Sequence, residues 1–255
     1  MSIMFYAPYG QENEDGWLIY LIAKYLSESR QELLHLVCNG CYSLCLRDKK
    51  HNWRRPIDGC TVCSAEQTYF GSVVNIDSCS LSSFIEPADI LLADRTVNQI
   101  PTEELISAKF AGFELFPFAL PTLKSRFGAK GNFEKYNHYE SILRQIFRGC
   151  ILTYIAGKRL TKKNAINLVI TAGEKEYLLA ALVLAVKEAM IPRYYIRYDL
   201  SRRCLVVHIE HINQIVEIPF VSDALSLQYQ APNLWPSAVK DAIELLFQKT
   251  EILFK

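Results

Sequence analysis

The 255-residue chain reads as an open α/β fold, a mostly parallel sheet flanked by helices with a cysteine-rich insert. Three observations predict it. Short apolar runs of strand length alternate with helical periodicity near both ends of the chain. The stretches between paired strand candidates are long enough to carry a crossover helix, as parallel pairing requires. Six of the eight cysteines fall between Cys38 and Cys79, where even scatter would put about one.

Composition sets the frame. Half of the residues are hydrophobic and 22% are charged, with 28 Lys plus Arg against 27 Asp plus Glu and a net charge of +1. Such a chain folds, since a disordered one is poorer in apolar residues and more unbalanced in charge. Near-neutrality argues against a protein that chiefly grips phosphate backbones, so nucleic acid is not the expected partner. The expected organisation is one domain over residues 1–255, with residues 38–63 as a metal-binding insert within it. The longest strongly apolar run, Leu178–Val186, lies between Lys175 and Lys187 and falls short of the ~20 residues a bilayer span needs. Met1–Pro8 lacks the basic start and longer apolar core of a signal peptide. The expected location is therefore the cytoplasm, with no integral membrane segment.

The elements follow in order. Ser2–Ala7 reads as a buried strand ended by Pro8-Tyr9-Gly10. Asp15–Ser27 has helical periodicity through Trp17, Leu18, Tyr20, Leu21, Ile22, Tyr25 and Leu26. Leu33–Val37 is a second strand, which completes a β-α-β unit. A polar, basic insert follows, then a helix at Ala65–Val73 and a strand at Ile90–Leu92. Thr102–Gly157 reads as helical, broken at Pro117, Pro121 and Gly128–Gly131, with Glu134–Ala156 as its longest piece. Ile166–Thr171 is the clearest strand of the chain. It leads through Ala172-Gly173 into a helix at Glu174–Met190, which Ile191-Pro192 stops. Strands at Tyr194–Tyr198 and Cys204–Ile209 complete the second unit, and Ala238–Gln248 reads as a terminal helix.

The cysteines point to a metal. In a reducing compartment such a cluster signals coordination rather than a disulfide framework. Two ligand sets compete. Cys38-x2-Cys41 with Cys60-x2-Cys63 has the spacing of a zinc site built from two pairs, and Cys38-x6-Cys45 with Cys60-x2-Cys63 is the other. Zinc takes four such ligands tetrahedrally, and a closed four-cysteine site is structural. An iron–sulfur cluster and a set of reduced thiols are the competing readings. Cys79, Cys150 and Cys204 read as packed thiols.

The same residues carry a resemblance. FYAPYG, a Trp-containing helix, and a strand ending in CNGCYSLC followed by CTVCSAEQ are similar to the N-terminal half of bacterial capsular or surface-polysaccharide glycosyltransferases of the two-domain GT-B type. Cys38, Asn39, Gly40, Tyr42, Cys45, Cys60 and Cys63 match the family's cysteine segment, which implies Cys38, Cys45, Cys60 and Cys63 as the zinc ligands, with Cys41 as the alternative. The resemblance also implies a Rossmann-like domain. Glu104–Phe127 and Tyr139–Leu160 resemble the family's central helices, and INLVITAGE its strand leading to the interdomain cleft. Where the family has Asn-Gly-Arg at that cleft, this chain has Thr171-Ala172-Gly173-Glu174. A chain of this length holds one such domain, so the expectation is a fragment, a stand-alone acceptor-side domain or a relative without transferase activity.

Candidate ligand residues lie after strands, because open parallel sheets bind ligands at strand carboxyl ends. Tyr9 and Gly10 follow the first strand, where glycine lets a sugar or phosphate approach the backbone; an ordinary β-α turn is the plainer reading. Gly173 and Glu174 follow the INLVIT strand. Glu174 can orient a hydroxyl or act as a base, or simply favour the helix dipole. No G-x-G-x-x-G is present to support a dinucleotide. His35 reads as a core or sheet residue and His138 as a surface one; His51 lies in the cysteine insert, where a substitute metal ligand is the minor alternative. Arg47, Lys49, Lys50, Trp53, Arg54 and Arg55 read as a solvated loop face.

The expected function is that of a glycosyltransferase-like protein of surface-polysaccharide biosynthesis, with structural zinc and a nucleotide sugar as donor. No catalytic residue is named by the sequence. The competing expectation is a non-catalytic, zinc-stabilised α/β module that acts through a partner protein or a separate C-terminal domain.

Overall fold

A computed structural model describes residues 2–6, 19–20, 22–24, 26–27, 32–38, 40, 64–65, 67–69, 71–72, 74, 76–127, 138–172, 177–199, 204–210 and 213–219. The strands are β1 (Ser2–Tyr6), β2 (Glu32–Val37), β3 (Asp77–Ser80), β4 (Lys109–Phe110), β5 (Phe113–Glu114), β6 (Ile166–Ala172), β7 (Arg193–Asp199), β8 (Cys204–Ile209) and β9 (Gln214–Pro219). The bounded α-helices are α1 (Pro87–Gln99), α2 (Phe116–Phe127), α3 (Tyr139–Lys163) and α4 (Tyr177–Glu188), with 3₁₀ turns at Leu81–Phe84 and Thr102–Ser107.

Seven strands form one sheet in the order β3-β2-β1-β6-β7-β8-β9. The pairs from β3 through β7 are parallel, and β8 and β9 add antiparallel strands at one edge. The predicted mostly parallel α/β architecture is therefore present. The two predicted β-α-β units are β1–β2 and β6–β7. The helical residues between β1 and β2, and those among 64–74, fall where periodicity places them.

Strand side chains alternate between two cores. On one face Met4, Tyr6, Leu36 and Val169 pack with α1, α2, α3 and α4. On the other, Ile3, Phe5, Leu168 and Ile170 pack with Ile19, Tyr20, Ile22, Ala23 and Leu26. Helices on both faces explain why β1 and β6 read as near-continuous apolar runs.

Helices α3 and α4 approach closely because α3 carries glycine where they touch. A Cβ added at Gly149 would lie 2.5 Å from the Tyr177 ring, and one at Gly157 would lie 2.8 Å from the Ala185 Cβ. Tyr177 and Ala185 are both buried.

Two expectations need correction, and two strands, β3 and β9, have no counterpart predicted from the sequence. Ile90–Leu92 is not a strand but lies inside α1. Pro87 opens that helix, and Asp89 Oδ2 accepts the Glu86 backbone N–H at 2.7 Å. Ile90, Leu91 and Leu92 are all exposed, which no buried strand would show. Residues 102–114 are not α-helical: they form a 3₁₀ turn and the β4–β5 hairpin, whose turn residues Ala111 and Gly112 both have positive φ. The parallel strand before α1 is Asp77–Ser80, a polar segment with no apolar pattern to announce it.

Candidate functional site

The chain runs from β1 to β2 and β3 on one side, then returns through α1–α3 to β6 and β7 on the other. Its winding reverses between β1 and β6. At such a reversal the connections leave neighbouring strand ends in opposite directions and open a crevice for ligand. Tyr6 and Thr171 are register partners at the carboxyl ends of these two strands.

Tyr6 and Thr171 are both fully buried. Thr171 lies two positions after Val169 and shares its sheet face, the one covered by α1–α4. Its Oγ1 is buried and has no hydrogen-bond partner among the described residues. An unmet buried hydroxyl costs about 1–3 kcal/mol. At the end of a central strand it marks where a polar group from a ligand or loop would be stabilised.

The sequence-predicted ligand residues follow these two strands. Tyr9 and Gly10 come three and four positions after Tyr6; Gly173 and Glu174 come one and two positions after Ala172. All four lie outside the described residues, but the strands leading to them are adjacent, which the sequence could not reveal. In the sequence Thr171 stands out only as a polar residue after the apolar run Leu168–Ile170.

Of the predicted zinc ligands, Cys38 directly follows β2 and is half-buried against the α1–α4 core. Cys45, Cys60 and Cys63 lie outside the described residues, as does the alternative Cys41. Among the described residues no three His, Cys, Asp or Glu side chains gather as a metal site. Cys150 is buried in the core, and Cys79 sits half-buried on β3 beside Leu36. Burial pushes the Cys150 thiol well above its usual range, as befits a packed residue.

Of the histidines, His35 has the packing role the sequence predicts. His35 is buried on β2, edge-on to Tyr20 at 5.8 Å, and burial pushes its imidazole down to about 4. His138 is exposed before α3, and His51 lies outside the described residues.

A second feature is a groove of about 940 Å³ between α1, the Thr102–Ser107 turn and the start of α3. The 25 residues of α3 span about 37 Å, against about 23 Å for the seven of β6. Tyr177 meets α3 at Gly149, so Tyr139–Arg148 extend beyond that contact on the carboxyl side of the sheet. Arg144 fixes the groove. It donates to the carbonyls of Val97 and Ile100, closing the end of α1, and to Glu140 Oε1 at 2.7 Å. Glu140 also accepts from Thr102 Oγ1 at 2.9 Å. Hydrogen bonds from Arg144 and then Thr102 hold its carboxyl below the usual range. Only the Glu140–Arg144 spacing of four was legible beforehand.

No protein-family model matches the chain, and no curated protein matches it. Among solved structures it is similar to a CDPS from Fluoribacter dumoffii, with 10% sequence identity and a TM-score of 0.44 over 77% of this chain and 89% of that one. A likeness at that level assigns neither ligand nor reaction. Among the described residues no helix is long and apolar enough to cross a membrane.

Proposed function

We propose that this chain is a glycosyltransferase-like, Rossmann-like module that binds a nucleotide sugar or glycan beyond the carboxyl ends of β1 and β6. The observation that supports the reading is the pairing of Tyr6 with Thr171 where the winding reverses, with the Thr171 hydroxyl unmet among the described residues. Gly10 and Gly173, which follow these strands in sequence, would give a ligand backbone access. Tyr9 supplies an aromatic ring, and Glu174 a carboxylate for a sugar hydroxyl. In transfer, such a site works by holding donor and acceptor hydroxyl in line, with a carboxylate taking the hydroxyl proton.

Zinc belongs to the same proposal. Cys38, Cys45, Cys60 and Cys63 would hold it, anchoring the insert to the end of β2, and a closed tetrathiolate site leaves the metal no open position for chemistry.

The experiment is titration with UDP-, GDP- and CMP-sugars on wild type, Glu174→Gln and Thr171→Val. Binding that weakens in both variants supports the reading. If no nucleotide sugar binds, the reading fails. A non-catalytic module acting through a partner protein then stands, and the solvent-facing Ile90, Leu91 and Leu92 on α1 favour it.

A further inference from the structure

We infer that the groove between α1 and α3 is a second binding site, one for an uncharged, hydroxyl-rich ligand of the saccharide class. The site is separate from the β1–β6 edge and does not depend on the nucleotide-sugar reading. Two antiparallel helices supply its polar walls. Asp94 and Asn98 stand one turn apart on α1; Ser141, Gln145 and Arg148 recur along α3. Ile106, 53% exposed, adds apolar surface between them, over the buried Leu105.

Charge excludes an anion as the natural occupant. The two arginines are matched by two carboxylates. Arg148 Nε donates to Asp94 Oδ1 at 2.5 Å, and Arg144 is spent on Glu140 and two carbonyls. An incoming phosphate or carboxylate would have to displace these partners. A hydroxyl asks for less, since it both donates and accepts.

The groove offers both functions unspent. Gln145 Oε1 is buried and has no partner among the described residues. Whichever way the amide is turned, one of its polar atoms stays unmet there. Among the described residues the Arg148 guanidinium uses only Nε, leaving its terminal N–H groups to donate. Asp94 keeps a second oxygen to accept. A sugar ring fits this mixture: its hydroxyls meet the helix walls and its C–H face covers the exposed Ile106.

Saturation-transfer NMR on the full chain with maltotriose, cellotriose and chitotriose at millimolar concentration tests the inference. Transfer to at least one trisaccharide is expected. It should weaken at least tenfold in Gln145→Leu, which removes the unmet amide, and in Ser141→Trp, which fills the groove from an exposed position. Thermal melts confirm that each variant is folded; should Gln145→Leu fail to fold, Ser141→Trp decides. No transfer from any of the three sugars overturns the inference. So does transfer undiminished in the folded variants, and so does loss of the sugar signal on adding inorganic phosphate, which would make the groove an anion site.

Discussion

Tyr6 and Thr171 lie side by side at the ends of two parallel strands from which the chain departs in opposite directions. They are separated by most of the sequence, yet the chain leaves β1 and β6 at one edge of the sheet. Four residues chosen separately from sequence, Tyr9, Gly10, Gly173 and Glu174, thereby follow adjacent strands.

Asp89 ties α1 to α3. Arg159 reaches both of its oxygens, one at 2.8 Å, and also donates to the Phe84 carbonyl at 2.9 Å. Burial pushes the Asp89 carboxyl upward, but the Arg159 hydrogen bonds and the Glu86 N–H outweigh it and hold it below its usual range. A carboxyl depressed in the folded state adds stability above its unfolded pKa of about 4, and that stability fades as pH falls through the folded value. Asp89→Asn should lose about 1–3 kcal/mol at pH 7 in urea unfolding. The gap from wild type should narrow only below the ordinary aspartate range.

His35 acts in a different window. Its imidazole titrates near 4 when folded and near 6.5 when free, so the unfolded chain binds the extra proton between those values. Stability should therefore be complete above pH 6.5 and fall as pH drops towards 4, by about 3 kcal/mol at most. His35→Phe, which keeps a ring beside Tyr20, should flatten the urea-midpoint profile over that range. A variant as pH-sensitive as wild type would mean that another group is responsible.

Gly149 and Gly157 set the spacing of α3 and α4. An alanine at either gains up to about 1 kcal/mol of helix propensity, while overpacking a core costs about 1–3 kcal/mol. The neighbours, the buried Tyr177 ring and the Ala185 Cβ, cannot swing away. Both substitutions should lower the thermal midpoint, and the double variant should fall further. An unchanged midpoint would show that the helices can separate freely.

Protein purified without oxygen should carry one zinc per chain by elemental analysis. Cys60→Ser should abolish it and Cys41→Ser should not. Loss of zinc in Cys41→Ser, with retention in Cys45→Ser, would select the other ligand set; iron in place of zinc would replace the assignment.

The legible parts of the fold are those where burial dictates residue type. β1, β2, β6 and α4 are buried and apolar, so their patterns stand out. Asp77–Ser80 escapes notice because an edge strand need not be apolar. Ile90–Leu92 misleads because three apolar residues on the exposed side of α1 mimic a strand. The adjacency of Tyr6 and Thr171 is a matter of topology, which no local pattern carries. The groove is illegible for a related reason: the sequence predicts no helix at Asp94, so nothing local sets it against Gln145 and Arg148 on the antiparallel α3.

The most direct measurement is backbone amide NMR of the chain titrated with UDP-, GDP- and CMP-sugars. Shifts from one of them should concentrate at Tyr6–Gly10 and Thr171–Glu174 and weaken in Thr171→Val, whose thermal midpoint should match or exceed wild type because it removes a buried hydroxyl unmet among the described residues. No shifts with any nucleotide sugar, or shifts that spare both loops, would contradict ligand binding at the β1–β6 edge.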